Sequence, residues 1–265
     1  MRGGHRFGSG ELELAGHLAR PPGRVAASGA PGLVLAHHFH TGVGGAAATA
    51  ETYPELADRI ATELGWYVLA FTCRGAGESG GQFALGGWLD DIGAAIDHVR
   101  GLPDVAGVWV AGFGTGAALA ICVGARDPDV RGVAVLGGPA DFDDWAGQPR
   151  RLLEYSREVG LVTDPRFPES FDAWARDLRT IKPVQCVTQY SPRSLLVVHG
   201  TDDDSVPDFD ARVISDAHGS AEMRIIAGAG HQLRDDPRAV AVLLGWLDRE
   251  RTGTELAVRI APPVT

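Results

Sequence analysis

A chain of 265 residues that is 45% hydrophobic and 22% charged is long enough to bury a sizeable core as one globular domain. Its formal net charge is −10 and no basic stripe stands out, which argues against nucleic acid as a partner. Cys73, Cys122 and Cys186 lie far apart with no C-x-x-C spacing, so neither a zinc site nor a disulfide framework is expected, and a reduced, cytoplasmic setting is the simplest reading.

No apolar run follows Met1 and no stretch is long enough for a membrane span, so neither a signal peptide nor a membrane partner is expected. Further along, strand-like and helix-like segments alternate, which predicts an α/β fold with a mostly parallel sheet. Residues 11–18 alternate apolar and polar side chains, as an edge strand would. Residues 32–37 form a short apolar run that suits a central strand; 53–64 have helical periodicity, and 66–71 read as the next strand. Residues 85–99 read as an amphipathic helix with Trp88, Leu89, Ile92, Ala95, Ile96 and Val99 on one face.

Residues 108–113 form a strand that runs through a sharp turn into a helix at 117–125. Strands follow at 130–136, 194–199 and 223–226, and a closing helix at 239–249. A single domain therefore spans 11–250, and the tail at 253–265, with Pro262 and Pro263, reads as loose. Residues 140–192 break the alternation. This Asp- and Arg-rich, patchily helical segment reads either as a cap-like insertion over the strand ends, where ligands bind in such sheets, or as ordinary surface helices.

Four motifs stand on strand ends, in order along the chain. They are Leu35-Ala36-His37-His38-Phe39, Arg74-Gly75-Ala76-Gly77-Glu78-Ser79-Gly80-Gly81, Gly112-Phe113-Gly114-Thr115-Gly116, and His199-Gly200-Thr201-Asp202-Asp203-Asp204-Ser205-Val206-Pro207 followed by Gly228-Ala229-Gly230-His231. In this order they resemble the α/β-hydrolase family, from about residue 11 to 248. The third is similar to the G-x-S-x-G nucleophile elbow. The resemblance implies that Asp203 is the triad acid and His231 the triad base. It implies that the backbone N–H groups of Thr115 and Phe39 form the oxyanion hole, and that Gly114 stands at the nucleophile position. No cofactor is implied.

The departures carry the functional argument. Glycine at 114 cannot form an acyl-enzyme, and losing the triad serine of a protease costs on the order of 10⁶ in kcat. His38 stands where a glycine is usual in the oxyanion loop, and Thr72 where an aspartate is often found before the R-G-x-G loop. A one-residue shift would make Thr115 the nucleophile, but it would put Phe113 where the tight turn needs a small residue. Asp202 and Asp204 rival Asp203 only on composition, since the motif spacing selects Asp203. His37, His38 and His40 have no acidic ligand at metal spacing and read as a hydrogen-bonding cluster. Cys73 is a substitute nucleophile only with a base nearby, and otherwise an inert buried thiol.

Two functions fit. One is a pseudo-hydrolase that binds a small ester- or carboxylate-like ligand under the cap, or a partner protein through it. The other is an enzyme that uses His231 and Asp203 to activate water or substrate without an acyl-enzyme. Under either, the hydroxyl-sized gap at Gly114, at a helix N-terminus, is expected to hold a water, an anion or a ligand carboxylate.

Overall fold

The computed structural model describes residues 4–26, 28–40 and 53–260, of which 254–260 as backbone only. Its strands are β1 (His5–Ser9), β2 (Leu12–Ala19), β3 (Ala30–Ala36), β4 (Tyr67–Phe71), β5 (Val105–Phe113), β6 (Val130–Leu136), β7 (Ser194–Gly200) and β8 (Glu222–Ile226). The described strands form one sheet in the order β1-β2-β4-β3-β5-β6-β7-β8. β2 runs antiparallel to β1 and β4, and every other pairing is parallel.

Parallel strands covered on both faces are apolar nearly throughout, and β3, β4 and β7 are buried along almost their whole length. Side chains alternate between the two faces. Val108 and Val110 of β5 join one core cluster with α2 (Leu85–Arg100) and α3 (Thr115–Arg126); Trp109 and Ala111 join a second with α1 (Tyr53–Leu64) and α9 (Pro237–Ile260). The C-terminal ends of the parallel strands therefore lie along one edge, and the loops after β3, β4, β5, β7 and β8 emerge there.

Between β6 and β7 lie α4 (Asp143–Gly147), α5 (Pro149–Glu158), α6 (Phe171–Thr180) and α7 (Pro183–Tyr190). α6 is tied to the loop after β4 by the Trp174 indole N–H, which donates to the Phe83 carbonyl at 3.0 Å. α7 packs on α3 and on α8 (Asp208–His218). Among the described residues, no helix is long and apolar enough to cross a membrane.

Two expectations need correction, and two elements, β1 and α8, had no counterpart in the sequence reading. Residues 11–18 were expected at an edge, yet β2 is an inner strand, because β1 pairs on its far side through Phe7 opposite Leu14. With Phe7 as its one large apolar side chain among His5, Arg6, Gly8 and Ser9, β1 is hidden as a strand in the sequence. α8 was not anticipated. The closing helix runs through Gly253 to Ile260, where a loose tail was expected, since Glu255, Leu256 and Ala257 are good helix formers; residues 261–265 of that tail lie outside the described residues.

Candidate functional site

The turn after β5 is built from three glycines, each with a steric reason. A Cβ on Gly112 would lie 2.5 Å from the Ala117 Cα, and one on Gly116 would lie 2.7 Å from the Ala36 carbonyl oxygen. Gly114 itself sits at φ 51° and ψ −121°, a region that L side chains rarely adopt. Its amide N–H donates to the Leu136 carbonyl at 2.9 Å, which pins the turn to β6. Thr115 then opens α3 and is buried.

His231 faces this turn. A Cβ built on Gly114 would lie 3.2 Å from His231 Nε2. His231 Nδ1 lies 2.9 Å from Asp203 Oδ2 and 3.1 Å from Oδ1. A carboxylate can only accept, so Nδ1 carries a proton, and Nε2 is the ring nitrogen that faces Gly114. Asp203 also accepts the amide N–H groups of Ser205 and Val206, at 2.9 and 2.8 Å. Burial by itself would raise its pKa. The bonds from His199, His231 and Val206 N–H outweigh that and hold the carboxyl well below the usual range. Asp202 and Asp204 are engaged elsewhere, accepting from Thr201 Oγ1 and Ser205 Oγ.

His38 is drawn in against Gly114, with its Cβ 2.9 Å from the position a Cβ at 114 would take. Its ring lies 6.3 Å from that of His231, its Nδ1 is 3.1 Å from the Tyr53 hydroxyl, and the Arg234 guanidinium stands 3.2 Å from the same nitrogen. Burial, with the Arg234 charge and the neighbouring imidazoles, lowers its pKa to about 2, so the ring is neutral near pH 7. The space beside Gly114 is thus narrower than an open hydroxyl-sized gap, because the side chain at 38 enters it.

The remaining predicted residues separate. His37 Nε2 accepts the Cys73 amide N–H at 2.9 Å, and its Nδ1 lies 2.7 Å from the His38 carbonyl, so it clamps the end of β3 to that of β4. Burial pushes the Cys73 thiol up, which disfavours the nucleophilic thiolate. Thr72 shares a hydrogen bond of 2.8 Å with Ser79 and so holds the R-G-x-G loop. The Phe39 ring lies 5.1 Å from Trp145, 4.9 Å from Phe83 and 6.2 Å from Tyr155, forming an aromatic wall between the strand ends and the helices after β6.

Three residues at the site received no role from the sequence. His199 is the first residue of the His-Gly-x-x-Asp motif, and its Nε2 lies 3.3 Å from Asp203 Oδ2. The motif carried that signal. Arg234 and Tyr53 reach His38 from a short helical turn and from α1, and no motif marks them.

No protein-family model matches the chain, and no curated protein matches it. Solved structures do. Est1E from Butyrivibrio proteoclasticus is 18% identical, with 93% of this chain and 96% of that chain covered at a TM-score of 0.69. The alpha/beta hydrolase GrgF from Penicillium sp. sh18 is 18% identical, with 94% and 99% covered at 0.72. A meta-cleavage product hydrolase from Pseudomonas fluorescens is 16% identical, with 93% and 98% covered at 0.63. At these identities the likeness is one of fold, and the fold of this chain is that of the α/β-hydrolases.

Proposed function

We propose that this chain is a hydrolase-fold protein without a covalent nucleophile, one that binds a small ester- or carboxylate-like organic ligand and turns it over weakly or not at all. The observation that carries this reading is Gly114. A side chain at this turn would meet His231 Nε2, and glycine supplies none. In this reading Gly114 occupies the nucleophile position of a triad whose other members are Asp203 and His231. The amides of Thr115 and Phe39 are the oxyanion donors, and His38 borders the ligand. The segment 140–192 is its cap, and also the surface through which a protein partner would dock.

The aromatic wall of Phe39, Trp145 and Tyr155 supports an apolar, aryl-bearing ligand. Incubation with a short-chain aryl ester, followed by intact-mass measurement, tests the reading. The expected result is no acyl adduct and no stoichiometric burst of product. An acyl adduct with a burst overturns it.

The His231–Asp203 hydrogen bond supports a second reading, in which His231 Nε2 is the general base that activates water directly. The substitution His231→Ala separates the two. A water-activating enzyme loses about 10²-fold or more of its turnover, whereas a binding protein keeps its ligand.

A further inference from the structure

The short approach between His38 and Gly114 is a contact between two positions that the backbone fixes. Carbon atoms in comfortable contact sit about 3.5–4.0 Å apart, whereas a Cβ at 114 would lie 2.9 Å from the His38 Cβ. That atom is bonded to the main chain and cannot swing aside as the tip of a long side chain would. The ring beyond it is held by the Tyr53 hydroxyl and the Arg234 guanidinium, at 3.1 and 3.2 Å. On the other side, Gly114 is tied to β6 through Leu136, and the first turn of α3 presses Gly116 against the end of β3. Both positions are tied through their main chains, Gly114 to β6 and the His38 carbonyl to His37 Nδ1 at 2.7 Å.

We infer that His38 is the residue that keeps position 114 free of a side chain, so that the two positions form one steric unit and the site can accept a nucleophile at 114 only when position 38 loses its Cβ. The fault lies with the Cβ rather than the imidazole, so trimming His38 to alanine leaves it in place and glycine alone removes it. The steric half of this inference stands on the distances. Its catalytic half rests on the reading of Gly114 as the nucleophile position.

The first test is thermal melting of Gly114→Ala in three backgrounds: unmodified, His38→Ala and His38→Gly. The cost of a non-glycine residue at φ 51° is common to all three and cancels in the comparison. The expected result is a large and similar drop in Tm in the first two backgrounds, and about half that drop or less in the third. Should Gly114→Ala fail to fold, folding of His38→Gly/Gly114→Ala is the expected rescue. Equal drops in all three backgrounds overturn the inference. So does a double variant that fails to fold while His38→Gly folds.

The second test is labelling with an alkyl fluorophosphonate, read by intact mass. In the step sought, the introduced serine oxygen bonds to phosphorus as the P–F bond breaks, and the hydroxyl proton passes to His231 Nε2. Adduct formation at least about tenfold faster in His38→Gly/Gly114→Ser than in Gly114→Ser supports the inference, and equal measurable rates overturn it. A folded double variant that takes no label, beside the expected melting pattern, upholds the steric unit and rejects the nucleophile reading.

Discussion

His199 Nε2 lies 3.3 Å from Asp203 Oδ2, the oxygen that also accepts the hydrogen bond from His231 Nδ1 at 2.9 Å. The Asp203 carboxylate is wholly buried and His199 almost so. The anion is therefore held by two imidazoles and two backbone amides rather than by water. His199 Nε2 also lies 2.9 Å from the Val206 carbonyl, so it must carry a proton to serve both acceptors. His199 thus fixes the loop from which Asp203 reaches His231.

Replacing His199 with phenylalanine keeps the ring and removes that donor. Burial lowers the His199 pKa, but the Asp203 and Val206 contacts outweigh it and the net shift is upward. A raised histidine pKa contributes stability that is fully present below the unfolded value of about 6.5 and is lost as pH rises through the folded value. The Asp203 pKa is depressed, so its contribution is present above about 3.9 and is lost as pH falls through its lower folded value. His199→Phe should therefore cost about 1–3 kcal/mol below pH 6.5. It should cost less as pH rises above 6.5 and through the raised folded value, and should move acid unfolding to higher pH. Urea unfolding across a pH series measures this; a cost that does not vary with pH contradicts it.

His37 gives the opposite limb. Burial holds its pKa down at about 4, and that of His38 at about 2. Below pH 6.5 the unfolded chain binds protons that these rings refuse in the fold, so stability falls with pH in that window and is fully restored above it. For His37 alone the loss between pH 6.5 and 4 is about 3 kcal/mol. His37→Gln can still accept the Cys73 amide N–H but does not titrate. Its urea-derived stability should fall less steeply from pH 6 to 4.5, by about 1.4 kcal/mol per pH unit. Parallel slopes in the two proteins would show that His37 is not the group responsible.

How much of this was legible in the sequence depended on range. The strands buried on both faces, such as β6 at Val130–Leu136, announce themselves as apolar runs, and α1 at Tyr53–Leu64 shows its period. β1 does not, because its identity as a strand lies in its pairing with β2 and not in its own residues. The glycines at 112, 114 and 116 and the Asp203–His231 spacing were readable because local motifs place them on the ends of β5, β7 and β8. That His38 enters the space beside Gly114, and that Arg234 and Tyr53 hold it there, depends on contacts across 196 and 15 residues of chain. No local pattern encodes those distances. The same holds for Asp91, which in the sequence is simply a charge on an amphipathic helix.

In the fold, Asp91 is fully buried on α2. It accepts the Arg74 amide N–H at 2.8 Å, the Arg74 Nη2 at 2.7 Å and the Ser9 hydroxyl at 2.7 Å, so it fastens both the R-G-x-G loop and β1. Asp91→Ala leaves a partly buried guanidinium and a buried hydroxyl without their acceptor. The expected loss is about 3–5 kcal/mol in urea unfolding. Replacing both partners, Arg74→Met with Asp91→Leu, should lose less than Asp91→Ala alone, because an apolar pair leaves no charge stranded. A double variant less stable than the single one would mean that the stranded charge is not what destabilises Asp91→Ala.

Trp145 tests the proposed ligand class. Its ring stacks on Phe142 at 5.4 Å and meets Phe39 edge-on at 5.1 Å, so one half-buried indole joins α4 to the loop after β3. Aromatic side chains of this kind supply most of the contact area in small-molecule sites, and an edge-to-face pair adds about 0.5–1.5 kcal/mol beyond burial. An aryl carboxylate such as 4-nitrobenzoate is the probe, titrated by calorimetry. Trp145→Ala should raise its Kd about tenfold, close to 1.4 kcal/mol. Trp145→Phe, which keeps a ring against Phe39, should restore most of the affinity. If both variants bind as the unmodified protein does, the aromatic wall is packing between α4 and the strand ends and does not line the ligand site.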